Sequence, residues 1–470
     1  MSSEWSVNYL SDLTDEITVG YVGSMTHEYA GSGIPFLRSK NISNYEIVWD
    51  DIKYISSEFH NKIKKSVLRP GDVAVVRTGK PGTSCVIPNE LSEGNCSDLV
   101  IIRVDKNKLC PHYLCYYLNS IAVHQINSQI VGAVQQHFNV GSAKNLKVKS
   151  PSLFTQKRIS FVLQCLDNKI KLNKVTNQTL EQIAQAFFKS WFVDFEPVKS
   201  KIAVLEAGGS QEDATLASMT AISGKDTDAL VVFEHEHPEQ YAELKATAEL
   251  FPSAMQESEL GDIPEGWNIG KFGDILEFNP KRLLKKGSIA SYLDMKNVPV
   301  IGHSAQEIIE REFNSGSKFI NGDTLLARIT PCLENGKTAY VDFLPANEIV
   351  GWGSTEFIVM RSKKNLPLSL SYFFARLESF RTIAIQSMQG TSGRQRADAS
   401  VLEQHVWIVP PNEILQKFGA ISDLILGGNR SRNIENKSLS QLRDTLLPKL
   451  LSGEITLPEA EQAVSEAENV

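Results

Sequence analysis

The sequence predicts an α/β (α+β) architecture. Two duplicated globular domains are separated by a pair of long antiparallel coiled-coil helices, with pseudo-twofold symmetry. Three observations carry this expectation. The chain repeats itself, with residues 1–200 falling on 267–455 motif by motif at a nearly constant offset. "FLRSKNI" matches "YLDMKNV", "PGDVAVVR" matches "NGDTLLAR", "SDLVIIR" matches "TEFIVMR", and "NQTLEQI" matches "NKSLSQL". Each half holds short strand-like runs bounded by Gly, Pro and Asn. Each half then ends in a long stretch with apolar residues three and four apart. A period this long is a duplicated domain, not a solenoid.

The first globular domain is expected over 1–150. "GDVAVVRTG" and "DLVIIRV" read as strands, and "PHYLCYYLNSIAVHQINSQI" reads as a short helix. The central spacer helix follows over 151–200, with Ile159, Leu166, Ile183, Phe187 and Trp191 on its apolar seam. Asn173 and Asn177 interrupt that seam, as local instability or as register-setting buried polar residues. About 40 helical residues make a rod of roughly 60 Å.

A connector is expected over 201–266. Between Lys201 and Trp267 it carries 14 Asp/Glu against 3 Lys/Arg, so the repeats themselves are mildly basic although the whole chain is −7. Its Gly, Ser, Ala and Thr content predicts flexibility. His235 and His237 lack a third metal ligand, so a solvated loop is expected there. The second globular domain is expected over 267–410 and the distal spacer helix over 411–455. Phe418, Ile425, Leu439, Leu442, Leu446 and Leu450 form that helix's seam and, with the first seam, the helix–helix and partner interface. Residues 456–470 read as a flexible acidic tail.

The six cysteines form no C-x-x-C pair, which fits reduced thiols in a cytoplasm. No secretory leader or membrane-spanning stretch is expected. The chemistry of an enzyme is missing. "NGKTA" resembles the end of a phosphate loop, but Pro331 stands where its first glycine is needed. There is no G-x-G-x-x-G, H-E-x-x-H or G-x-S-x-G. "VPPNE" lacks the flanks of the amino-methyltransferase motif, and Asp51-Ile52-Lys53 offers only half of a nuclease motif. No catalytic residue and no metal site is expected.

What remains is binding. Gln135, Gln136 and His137 lie in one polar loop, and Thr391, Ser392, Arg394, Gln395 and Arg396 lie in its counterpart. Gln and Arg suit bidentate contacts to adenine and guanine edges, and Ser and Thr suit phosphate. Arg77 and Arg328 follow matching strands, each a DNA contact or a structural ion-pair partner. Lys281 and Arg282 add phosphate-contact candidates to the second domain only, while Arg38, Lys40, Asn41, Lys80, Lys296 and Asn297 complete the candidate DNA-binding set.

"ELGDIPEGW", "AQAFFKSWFVDFEPV" and "LRDTLLPKLLSGEI", set in this duplicated layout, make the chain resemble the specificity subunits of type I restriction-modification enzymes. The resemblance implies two target recognition domains, each reading one half of a bipartite site in double-stranded DNA. It implies helices that act as spacer and as docking surface for two methyltransferase subunits, joined by motor-nuclease restriction subunits. S-adenosylmethionine, ATP and magnesium would be used by those partners. This chain would be a non-catalytic recognition subunit with no bound cofactor. The alternative from another class is a single-chain methyltransferase or nuclease with duplicated DNA-binding domains. A third is a protein-only scaffold.

Overall fold

The computed structural model describes residues 5–128, 137–390 and 394–468. It divides into two compact units, Met1–Leu172 with Glu435–Val470, and Asn173–Ile434.

Unit 1 contains an antiparallel sheet in the spatial order Thr14–Val19, Leu99–Val104, Val73–Val76, Ser84–Val86. The Val73–Val76 strand is buried on both faces, and its period of two serves two cores. Val73 and Val75 enter the core shared with the helices, while Ala74 and Val76 enter a second one. A five-stranded sheet holds one parallel pair, Ile34–Leu37 with Gly94–Cys96, in the register Phe36 to Asn95.

Unit 2 repeats this topology. Its sheet runs Leu276–Phe278, Phe357–Ser362, Thr324–Ala327, Thr338–Tyr340. Its second sheet keeps the parallel pair, Ile289–Leu293 with Gly351–Gly353, in the register Tyr292 to Trp352. Leu326, Ile358 and Met360 face one core, and Leu325, Phe357 and Val359 the other. The turn into the central strand recurs too. Gly71 and Gly322 have φ of 87° and 88°, where a side chain is strained. The next residue, Asp72 or Asp323, accepts the main-chain N–H three positions back, at 3.0 and 2.9 Å. Each aspartate also meets an arginine of the neighbouring strand, Arg103 at 3.4 Å and Arg361 at 2.6 Å.

Two long helices, α1 (Leu153–Phe192) and α2 (Asn412–Ser452), each contribute a half to each unit. In unit 1, Ile159, Leu163, Leu166 and Ile170 of α1 share a core with Leu439, Leu446, Leu450 and Leu451 of α2. Asp167 pairs with Arg443 at 2.7 Å, and Lys169 with Glu435 at 3.3 Å. In unit 2, Phe188, Trp191 and Phe192 pack on Phe418. The residue order is antiparallel in both. Leu442, Phe187 and Ile425 are only partly buried.

Four expectations need correction. Ile183 is 40% exposed and not in the seam. The helical step from Glu181 to Ala184 and Phe188 places those residues inside and turns Ile183 outward. The first spacer helix stops at Phe192, short of 200, and Phe195 has a left-handed φ of 56°.

The acidic connector is not a flexible linker. It forms helices Glu196–Glu206, Gln211–Ser223, Thr227–Glu236 and Pro238–Glu249. Ser210 and Asp213 make a capping box, and Asp226 caps the next helix. Met219, Ile222, Leu230 and Ala248 reach the core of unit 2, and buried Lys201 donates to the Phe251 carbonyl at 2.6 Å. The acidic tail is also ordered as a helix, Leu457–Glu468, because Ala460 and Val464 enter the core of unit 1.

Candidate nucleic-acid interface

In each unit the fold brings together two features that the sequence keeps far apart: the arginine after the central strand and the polar loop near the domain's end. In unit 1 the main-chain N–H of Phe138 donates to the Arg77 carbonyl at 3.0 Å. In unit 2 Ala397 does the same to the Arg328 carbonyl at 2.8 Å. Both arginine side chains are half-buried, and neither makes a hydrogen bond or ion pair among the described residues. The Nε of each is buried without a partner, as is His137 Nδ1 beside Arg77. Leaving a buried donor unpaired costs roughly 1–3 kcal/mol, and more when it is charged. Among the described residues the same unpaired donor thus recurs at the equivalent place in the two repeats.

The loop residues separate by exposure. Arg394 is exposed and takes no side-chain partner among the described residues. Gln395 is half-buried, and its carbonyl accepts from Thr330 at 3.1 Å. Arg396 has its Nε and Nη2 committed to Glu356 at 2.7–3.0 Å, so its fork is occupied. Gln135, Gln136, Thr391 and Ser392 lie outside the described residues.

A second basic group in unit 1 gathers Arg38, Lys40 and Lys53 around Asp51. The hydrogen bonds from Lys40 and Lys53 hold that carboxyl well below the usual carboxylate range. Arg38 also lies over the Tyr29 ring, 6.0 Å from its centroid. Lys80, Lys281 and Lys296 are exposed.

Three candidates are engaged by other residues of the protein. Asn41 is fully buried, and its amide donates to the Val48 and Asp50 carbonyls at 3.2 and 3.1 Å, so it shapes a turn and cannot reach DNA. Its counterpart Asn297 donates to the Glu307 carbonyl at 3.2 Å. Arg282 turns inward to the buried Asp323 at 3.3 Å.

Sequence reasoning missed a buried charged group in unit 2. His303 bonds Glu181 of α1 at 3.2 Å and Asp342 at 3.3 Å, and Tyr372 donates to the same Glu181. Burial opposes the charge on His303, but the hydrogen bonds to Asp342 and Glu181 outweigh it and raise its pKa to about 9. Nothing in the local sequence links positions so far apart. Among the described residues no cluster of His, Cys, Asp and Glu could hold a metal ion. No helix there is long and apolar enough to cross a membrane.

Residues 3–182 match the family model of the type I restriction modification DNA specificity domain. Along nearly its whole length the chain is similar to the type I restriction enzyme HindI specificity subunit of Haemophilus influenzae. The two are 28% identical over 96% of this chain and 100% of that relative. The chain is thus similar, over nearly its whole length, to specificity subunits of type I restriction enzymes. It is also similar to the MjaIX specificity subunit of Methanocaldococcus jannaschii, at 22% identity over 97% of this chain and 94% of that one. Among solved structures it is similar to the type I S subunit from M. genitalium, with a TM-score of 0.48 and 13% identity over 95% and 96% of the two chains. Specificity subunits are the non-catalytic, DNA-recognising members of their complexes.

Proposed function

We propose that each unit of this specificity subunit reads one half of an asymmetric bipartite site in double-stranded DNA. The observation that carries this is the recurrence of Arg77 and Arg328, equivalent half-buried arginines with unpaired Nε donors beside a polar loop. The phosphates and base edges of a DNA duplex offer acceptors to both arginines. The loops read bases, Arg394 among them. They differ in kind, "VQQHF" against "SGRQR", so the half-sites differ in sequence.

Long helices α1 and α2 carry the docking surface for two methyltransferase subunits, to which motor-nuclease subunits are added. S-adenosylmethionine, ATP and magnesium are used by those partners, and this chain contributes recognition alone. The reading as a protein-only scaffold leaves the duplicated arginines unexplained. The test is methylation-sensitive sequencing of host DNA with and without this gene. A bipartite motif with unlike halves that vanishes with the gene supports the reading. A perfect palindrome, or an unchanged methylome, overturns it.

A further inference from the structure

Arg328 does not stand alone. It lines a cleft of about 280 Å³ with Arg282 and Lys318, floored by Asn279, Ser317 and Thr355. The three cations come from three places in the fold: the segment after Leu276–Phe278, the Ser317–Phe319 strand, and the end of Thr324–Ala327. No carboxylate lines the cleft. Behind it Asp323 is shared between Arg282 and Arg361, at 3.3 and 2.6 Å, so one acid faces two guanidinium groups. Asp398 interacts with Arg328 electrostatically, but its carboxylate is engaged by the N–H and Oγ of Ser400 at 2.9 and 2.7 Å. Among the described residues the buried Nε atoms of Arg282 and Arg328 have no partner.

Among the described residues, unit 1 lacks two of these three cations. Strand registers place Val67 where Lys318 stands, since Val67 pairs with Asn95 as Lys318 pairs with Trp352. Counting on from the equivalent edge strands, Tyr21 takes the place of Arg282.

Resting on the DNA-recognition reading above, we infer that this cleft is a phosphodiester site present in unit 2 only. It grips one backbone phosphate of the second half-site through Arg328 and Lys318, with Arg282 behind them. A phosphate suits the site because converging cations without an intervening carboxylate bind charge and not base identity. The two half-sites are therefore held by unequal electrostatics although the domains share a topology.

The experiment measures binding of the full chain to a duplex carrying its methylation motif and to a random duplex over a range of salt. Lys318→Gln and Arg328→Gln are compared with the unaltered chain. Lys318 is a side chain at the cleft wall, so its variant guards against misfolding of the other. Each substitution should weaken both duplexes by the same factor and reduce the slope of log K against log salt by about 1. The methylation motif should stay unchanged. Unchanged slopes, or a loss confined to one base of one half-site, would overturn the phosphate assignment while leaving DNA recognition intact. Failure of the unaltered chain to prefer its motif in any salt would overturn the recognition reading and the cleft with it.

Discussion

Asn177 and Asn429 hold each other across the helical pair of unit 2. Each side-chain amide donates to the other residue's main-chain carbonyl, at 3.3 and 3.2 Å. Asn429 is fully buried and Asn177 nearly so. Asn177 Oδ1 also accepts from Arg432 at 2.5 Å, and its amide donates to Asn433 at 3.0 Å. The polar break in the apolar seam is thus a satisfied network, not a weak point. Only one pairing of α1 with α2 brings these groups opposite each other, so they select a register.

Asn429→Leu should therefore lower stability by roughly 1–3 kcal/mol, because it leaves buried acceptors and donors of its partner unpaired. The double variant Asn177→Leu/Asn429→Leu should recover part of that loss. Urea denaturation of the unaltered chain, Asn177→Leu, Asn429→Leu and the double variant measures both. A double variant less stable than the sum of the singles would show that the network is not the reason for the cost.

Leu446 is 6% exposed and lies in the core between α1 and α2 of unit 1, whereas Leu442 is only partly buried. Leu446→Asp puts an unpaired charge into that core and should abolish soluble expression. Leu442→Asp should be milder and leave soluble protein. Equal behaviour of the two in a solubility assay would contradict the assigned seam.

Asp323 is fully buried and compensates two arginines, while Asp72 meets Arg103 at the longer distance. Asp323→Asn leaves two partly buried guanidinium groups short of charge and should cost about 2–3 kcal/mol, less than a fully buried pair would. Asp72→Asn should cost less. Thermal denaturation monitored by circular dichroism ranks them.

His303 makes stability depend on pH with a definite sign. Its folded pKa, raised to about 9 from 6.5, means the folded state holds a proton that the unfolded state releases. That contribution is complete below about 6.5 and is lost as pH rises through about 9. His303→Gln should be less stable at pH 6 and should lose this decline. The facing groups are Glu181, Asp342, Ser304 and Tyr372. Denaturation midpoints between pH 6 and 9.5 provide the test, and parallel profiles would rule out the charged histidine.

Arg394→Ala should weaken binding by about 1–3 kcal/mol on duplexes carrying the second half-site, and less on others. Arg396→Ala should do less, because that guanidinium is already bonded to Glu356. Electrophoretic shifts on half-site variants separate the two. A larger loss at Arg396 would mean that DNA displaces Glu356.

Sequence by itself determined the duplication, the strand content and both long helices. Those features are written in local periodicity and in motifs repeated along the chain. It also singled out Arg77 and Arg328, because matching motifs put them at matching strand ends. Tertiary packing decided which candidates face outward. Asn41 reads like an exposed polar residue, yet its amide closes a turn onto Val48 and Asp50. Arg282 reads like a free cation, yet it answers an aspartate 41 positions away. Glycine- and alanine-rich composition suggested a loose connector, but Met219, Ile222 and Leu230 find a core supplied by Trp191, Phe251 and Trp267. Each of these outcomes depends on a partner distant in sequence. Local pattern sets what a segment can form, and the distant partner sets which face is buried and which charge is left unpaired.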